Sequence, residues 1–452
     1  MSDDHAMWHR ARDCLDLIGI GVGPSNLSLA ALVEPVGELN TLFLEASSQF
    51  EWYPGLLFPG CRTQTSYLKD LVTLVDPTSK YSFVSFLAKT GRLYRFIITN
   101  QQRASRIEFT QYYRWVSRQL SNIRFGHTVV DVDFVDDAFQ VRCSQGQIFR
   151  SLNIVLGTGL APKIPAVARP FLGNQVLHAK DVLTRRPEFA KRCVAVVGGG
   201  QTGAELFLYL ITRVEPKPSE VVWISSRAGF LPLDDSPFTN EWFLPNYVRY
   251  FRSLSSAERS RVLSEQVLAG YGISQDLLLE IYRRLYEIDF FENRSLRYRL
   301  LPSHCMFDLT RHRDAIRLVI VSRETGMKTI VDADLAVLCT GFEYKLPSFL
   351  GPLRGRIAWD DRERFIVNED YSIRWRGPND RRIFVQNASI HTHGIADPHL
   401  SLAAWRSAVI INSLCGRRVY DTEHVSSAIS WDIPAQYSPE PEVMIDEKEQ
   451  YG

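Results

Sequence analysis

The sequence predicts an α/β protein with two Rossmann-like units and a helical insertion beside the second. Three observations predict it. Two strand–glycine-turn–helix signals lie about 180 residues apart, at Asp16–Ala31 and Arg192–Leu206. Each opens with a short apolar run of buried-strand type, breaks into glycines, and resumes with a helix-compatible apolar pattern. Between Ser236 and about Tyr298 the chain changes to aromatic-rich helical patterns, such as Asp276-Leu-Leu-Leu-Glu-Ile-Tyr-Arg-Arg-Leu-Tyr286.

The first turn is Gly21-x-Gly23-x-x-Asn26, with Pro24 and Ser25 inside it. Glycines there let the backbone approach a pyrophosphate at a helix N-terminus. Asn26 replaces the third glycine, which is expected to loosen helix–strand packing. The next strand, Asn40-Thr-Leu-Phe-Leu-Glu45, ends in an acid placed to bind ribose hydroxyls. The second turn is a full Gly198-x-Gly200-x-x-Gly203, carrying Gln201 and Thr202. Its following strand ends in Ser225-Ser226-Arg227, where an NAD site would carry a carboxylate. A carboxylate would repel a 2′-phosphate, whereas Ser225 and Arg227 can bind one. The two folds therefore point to FAD in the first and NADPH in the second, with hydride passing from nicotinamide to flavin.

Two more segments read as strands ending in glycine turns, Asn153–Gly159 and Leu335–Gly341. The expected organisation follows. An FAD-binding domain takes 14–185 and returns at 335–430. An NADPH-binding domain takes 186–235 and 299–334. A helical substrate-binding region takes 236–298. The Pro-, Glu- and Asp-rich stretch after about Ser427, with the tail 431–452, is expected to be loosely ordered.

Composition narrows the class. The chain has 452 residues, 45% hydrophobic and 23% charged, with a formal net charge of +1. That gives no general attraction to nucleic acid or an anionic membrane. No run of about 18 apolar residues is present, so no membrane span is expected. The start, Met1–Arg10, lacks the apolar stretch of a secretory signal. The seven cysteines are scattered and form no C-x-x-C pair. They read as reduced thiols of a cytoplasmic protein, with no structural metal site. They also exclude disulfide reduction, so O2 becomes the expected electron acceptor.

A third signal agrees. Phe171-x-Gly173-x-x-x-x-His178 resembles a linker of class B flavin monooxygenases, although Val182 stands where that family has a bulky closing residue. A lone histidine such as His178 is more often structural than catalytic.

Beyond these signals, the chain resembles the N-hydroxylating flavin monooxygenases of siderophore biosynthesis, the lysine/ornithine/diamine family. The likeness runs from about Asp16 to Trp431. It rests on Ile18–Ala30, Trp52-Tyr-Pro-Gly55, Gln64-Thr-Ser-Tyr-Leu-Lys-Asp-Leu71, Pro77–Phe83, Val196–Ala204 and His393-Gly-Ile-Ala-Asp-Pro-His-Leu-Ser401. The resemblance implies that NADPH reduces FAD and that O2 adds to the reduced flavin as a C4a-hydroperoxide. A neutral terminal amine then takes the distal oxygen and becomes a hydroxylamine. The substrate implied is L-lysine, with cadaverine or putrescine as the alternative. A carbon- or sulfur-oxidising flavin monooxygenase and a non-catalytic flavoprotein are the rivals. Many relatives are tetramers, so the resemblance also implies a homotetramer.

Site residues carry over by motif. Gln64 falls where the family has a glutamine close to the flavin. Trp52 and the segment Leu400-Ser401 are implied to line the flavin, Ser401 also the amine. Lys69 matches the lysine that grips a substrate carboxylate, and Asn240 an asparagine at the amino-acid end of ornithine. Two departures bear on substrate. Gly270-Tyr-Gly-Ile-Ser274 looks like the lysine and diamine branch, whereas the lysine enzymes carry Asp at position 240. A free alkylamine has a pKa of about 10.4, so presenting it neutral at pH 7 costs roughly 4–5 kcal/mol.

Overall fold

The structure is a computed structural model that describes residues 14–292 and 296–431. The start Met1–Arg10 and nearly all of the 431–452 tail lie outside the described residues.

Two sheets carry the fold. In the first, strands Ile123–Arg124, Thr41–Leu44, Cys14–Ile20, Ile148–Leu156 and Ile383–Val385 run parallel in that order. A hairpin, Val129–Val135 and Ala138–Cys143, extends it antiparallel along the start of Ile148–Leu156. The strand Cys14–Ile20 is flanked on both sides, and Leu17, Ile18 and Ile20 are buried. That accounts for its apolar run from Leu17 to Ile20.

The second sheet is wholly parallel, in the order Arg297–Leu301, Glu220–Ile224, Cys193–Val197, Leu335–Leu338, Val176–His178. Helices Gln201–Thr212 and Gln275–Phe290 cover one face. The three-stranded antiparallel sheet 304–333 covers the other. Two of its strands, Val176–His178 and Leu335–Leu338, fall outside the 186–235 and 299–334 boundaries read from sequence. The reason is pairing: Leu335–Leu338 takes the register Leu335↔Val194 to Leu338↔Val197, and Val176–His178 adds on its far side. Among the described residues, no helix is long and apolar enough to cross a membrane.

The insertion is helical as expected, from Pro237 to Phe290. The looseness expected after Ser427 does not hold as far as Trp431. Ser427 Oγ donates to Glu241 Oε2 at 2.6 Å, and the Trp431 ring stacks on Tyr250 at 5.1 Å.

Asn26 corrects another expectation. Its side chain is fully buried, and its amide donates to the Gly21 carbonyl at 2.7 Å. Its Oδ1 accepts from Gln386 Nε2 at 2.6 Å. The residue in the third-glycine position therefore fastens the helix to the turn instead of loosening it.

In the second turn the third glycine has a packing role. A Cβ on Gly203 would lie 2.0 Å from the Gly198 carbonyl oxygen, which is backbone and cannot move aside. Gly203→Ala is therefore expected to lose about 1–3 kcal/mol. A lower urea unfolding midpoint would show this; an unchanged midpoint would contradict it.

Candidate active site

The two glycine turns open onto one cleft of about 1480 Å³. Small-molecule pockets usually span roughly 300–1,000 Å³, so this one has room for more than a single small ligand. Gly21, Gly23, Pro24, Ser25, Glu45, Trp52, Gln64 and Leu400 line it from the first unit. Gly198, Gly200, Gln201, Thr202 and Arg227 line it from the second.

The turns fit phosphate groups by shape. Gly21 has φ +84, and a Cβ there would meet the Gly157 carbonyl oxygen at 2.6 Å. Gly198 has φ +140, and a Cβ would meet the Cys339 carbonyl oxygen at 2.1 Å. Both positions demand glycine for backbone reasons. Gly23 differs. Its φ is −79, which any residue adopts, and its Cβ would meet nothing within 4 Å. Only a ligand pressed against that backbone would need glycine there. Helix Pro24–Val33 begins at this point, with proline at its first position, no side-chain cap, and Pro24 and Ser25 on the cleft wall.

Glu45 is held in place. Its Oε2 accepts from Val22 N at 2.7 Å and its Oε1 from Ser47 N at 2.8 Å. Each carboxylate oxygen keeps a lone pair for a ribose hydroxyl. Arg227 is half-buried beside the second turn. Its Nη1 donates to the Tyr271 carbonyl at 2.8 Å and the Gly199 carbonyl at 3.3 Å. Ser225 does not line the cleft. It is buried under Gly199, whose Cβ would strike its Oγ at 1.9 Å, and Ser226 takes the cleft position instead.

The candidate substrate residues are less gathered. Ser401 is buried in the short helix Leu400–Leu402. Lys69 is half-buried, its Nζ 6.0 Å from the Phe243 ring centroid, and burial lowers its pKa. No carboxylate lies within ion-pair distance of Lys69 among the described residues. Asn240 is exposed. Its Nδ2 donates to the carbonyls of Asp235 at 2.9 Å and Ser236 at 3.0 Å, which fastens the turn entering helix Pro237–Asn240. His178 is buried. Its Nδ1 accepts from Lys180 N at 3.2 Å, so its Nε2 donates to the Gly341 carbonyl at 3.1 Å. Burial lowers its pKa, and both nitrogens are used in structure.

Three features were missed in the sequence. His399 lines the cleft, 4.9 Å from the Phe243 ring. Burial, with a smaller effect from Lys69, pushes its pKa down to about 4, so it is uncharged at neutral pH. Arg406 is 1% exposed and ion-paired with Asp397 at 3.0 Å. It also reaches Gln386 Oε1 and Ser25 Oγ, each at 3.0 Å. A lone arginine inside the apolar run Ala403–Cys415 was the available signal. Last, Arg106 on helix Arg106–Ser117 pairs with Glu205 on helix Gln201–Thr212. All seven cysteines are free.

Comparison with known proteins gives a consistent result. Residues 13–344 match the profile described as L-lysine 6-monooxygenase/L-ornithine 5-monooxygenase. The chain is 39% identical to L-lysine N6-monooxygenase of Escherichia coli, covering 92% of this chain and 98% of that one. It superposes with TM-score 0.87 and 32% identity on the FAD-bound cadaverine monooxygenase of the desferrioxamine pathway from Erwinia amylovora, covering 94% and 99%. The ornithine N-hydroxylase of Kutzneria sp. 744, with reduced FAD, NADP+ and L-ornithine, gives TM-score 0.83 and 29% identity, covering 89% and 99%.

Gly23→Ala separates ligand from fold. The apoprotein should keep its thermal midpoint, while FAD affinity should fall more than about tenfold, the equivalent of ~1.4 kcal/mol. Unchanged FAD affinity in a titration would show that no ligand presses on Gly23.

Proposed function

For a chain that belongs to the L-lysine 6-monooxygenase/L-ornithine 5-monooxygenase family, we propose FAD-, NADPH- and O2-dependent N-hydroxylation of the terminal amine of L-lysine. The product is a hydroxylamine, from which a hydroxamate siderophore is built. The observation that carries this reading is the single cleft shared by two glycine turns, with Gln64 and Gln201 between them. Lack of a paired thiol among the seven free cysteines removes the disulfide as an electron acceptor.

Bound FAD supplies the transfer of electrons from NADPH to O2. The remaining tasks fall to the protein. The backbone of Gly21 and Gly23 and the helix start at Pro24 take one pyrophosphate, and Glu45 takes a ribose. The second turn and the start of helix Gln201–Thr212 take the other dinucleotide, with Arg227 at its 2′-phosphate. In this division, the first sheet's strands from Cys14 to Leu156 and the returning segment that carries Ile383–Val385 and Ala403–Cys415 hold the flavin.

Amine chemistry needs a neutral nitrogen. On the cleft wall, burial already pulls His399 below its ordinary pKa. An amine entering the same surroundings meets the same penalty on its charged form. His399, itself uncharged, adds no cationic repulsion.

The specific observation favouring lysine is Lys69, a half-buried cation with no carboxylate at ion-pair distance among the described residues. A lysine substrate brings one. A diamine brings a second ammonium, which Lys69 repels. The second reading, cadaverine or putrescine, draws on the 32% identity with the cadaverine enzyme.

Hydroxylamine formation from lysine, cadaverine, putrescine and ornithine, with NADPH use measured in parallel, tests both readings. Lysine should give the highest kcat/KM with tight coupling. Lys69→Ala should raise KM for lysine roughly ten- to a hundredfold, the value of one charge-assisted hydrogen bond, and should leave cadaverine nearly unchanged. Unaltered lysine turnover would remove Lys69 as the carboxylate anchor.

Arg227→Ala should raise KM for NADPH by about tenfold or more, again one charge-assisted contact. NADH should be little affected. Equal losses for the two nucleotides would exclude a 2′-phosphate contact.

A further inference from the structure

A chain of side chains with one forced polarity runs beneath the cleft. Arg106 and Glu205 form an ion pair whose side chains are 17% and 4% exposed. Arg106 Nη2 also donates to the Leu56 carbonyl at 3.1 Å. One helical turn before Glu205, on the same face, stands Gln201. Its Nε2 donates to Glu205 Oε1 at 2.9 Å. Its Oε1 accepts from Ser274 N at 2.8 Å, Ser274 Oγ at 3.3 Å and Gln64 Nε2 at 3.3 Å. Gln64 Nε2 also donates to the Gly272 carbonyl at 3.1 Å.

An ionised carboxylate only accepts hydrogen bonds, whereas an amide can present either end. Glu205, whose charge Arg106 supports against burial, and the Ser274 N–H together fix Gln201 with its NH2 toward the carboxylate and its oxygen toward Ser274 and Gln64. Gln64 must then turn its own NH2 inward, toward Gln201 and Gly272. Its remaining atom, Oε1, is left for the cleft that Gln64 lines.

We propose that the buried Arg106–Glu205 pair is a positioning element that sets the polarity of the Gln201–Gln64 relay and presents Gln64 Oε1 to the flavin as a hydrogen-bond acceptor. The proposal rests on the functional reading above and on the family resemblance, which implies a glutamine close to the flavin at Gln64. It also explains why a charged pair is kept at the junction. Apolar replacement of a buried ion pair is often neutral or stabilising, so stability alone is a weak reason for one.

Glu205→Gln changes polarity at nearly constant volume. Its oxygen stays with Arg106, and its new NH2 faces Gln201. Gln201 must flip to meet it, which sets its own NH2 against the donors of Ser274 and Gln64.

The test is a double-mutant cycle of Glu205→Gln with Gln64→Ala in the flavin-loaded protein. Two quantities are read. One is the flavin absorption maximum without NADPH or substrate. The other is the rate of flavin reduction at saturating NADPH. With Gln64 present, Glu205→Gln should shift the maximum and slow reduction about tenfold, as loss of one hydrogen bond of ~1.4 kcal/mol would do. With Gln64→Ala, it should change neither further, because Glu205 acts through Gln64. A purely structural pair gives effects that multiply, and that result, or no effect of Glu205→Gln, overturns the proposal.

If Glu205→Gln does not retain flavin, Arg106→Met with Glu205→Leu enters the same cycle and is judged by the same criteria. That replacement leaves no buried charge unpaired. Should the unmutated protein bind no flavin, or its flavin resist NADPH, the functional reading itself has failed.

Discussion

Burying a guanidinium costs several kcal/mol unless every donor finds a partner, and Arg406 meets that condition with residues from across the chain. Asp397 supplies the countercharge, while Gln386, Asn387 and Ser25 accept the remaining N–H groups. Asp397 is itself held by Ser389, through both its backbone N–H and its hydroxyl. Ser25 sits in the first glycine turn, and Gln386 continues to Asn26. The network thus joins the start of helix Pro24–Val33 to the returning helix Ala403–Cys415, 381 positions later. The cleft depends on this closure. Leu400 and His399 reach its wall only because the returning segment is fastened to the first turn.

The same economy recurs where the two units meet. Arg106 and Glu205 come from helices of different units, and the amides of Gln201 and Gln64 extend the pair to the cleft floor. Loops of the helical insertion join through Gly272 and Ser274. Arg106 and Glu205 neutralise each other, although Arg106 Nε is left without a hydrogen-bond partner among the described residues. The glycines act differently. Gly21, Gly198 and Gly203 are required by neighbouring backbone, whereas Gly23 leaves open space. One set shapes the turn and the other leaves room for a ligand.

Much of this was legible in the sequence, because the relevant signals are local. A strand buried on both faces reads as an apolar run, and a turn that needs positive φ reads as glycine. Counting one strand beyond each turn reaches Glu45 and Arg227, and both line the cleft. What could not be read depended on distant partners. Asn26 looks like a flaw in the motif until Gln386 is seen beside it. Ser225 and Ser226 are indistinguishable in sequence, yet packing under Gly199 buries the first and leaves the second at the cleft. Leu335–Leu338 and Ile148–Leu156 both end in glycine turns, and only strand pairing assigns them to different sheets. Asn240 matched a family position by alignment of motifs, but its amide is engaged in its own turn.

With both glycine turns on one cleft, the proposed nucleotides sit close enough for hydride to pass between them. Anaerobic mixing of the FAD-loaded protein with NADPH tests it most directly, by following the yellow flavin absorption. Bleaching is expected within seconds, faster with NADPH than with NADH. A flavin that dithionite bleaches but NADPH leaves oxidised would contradict it.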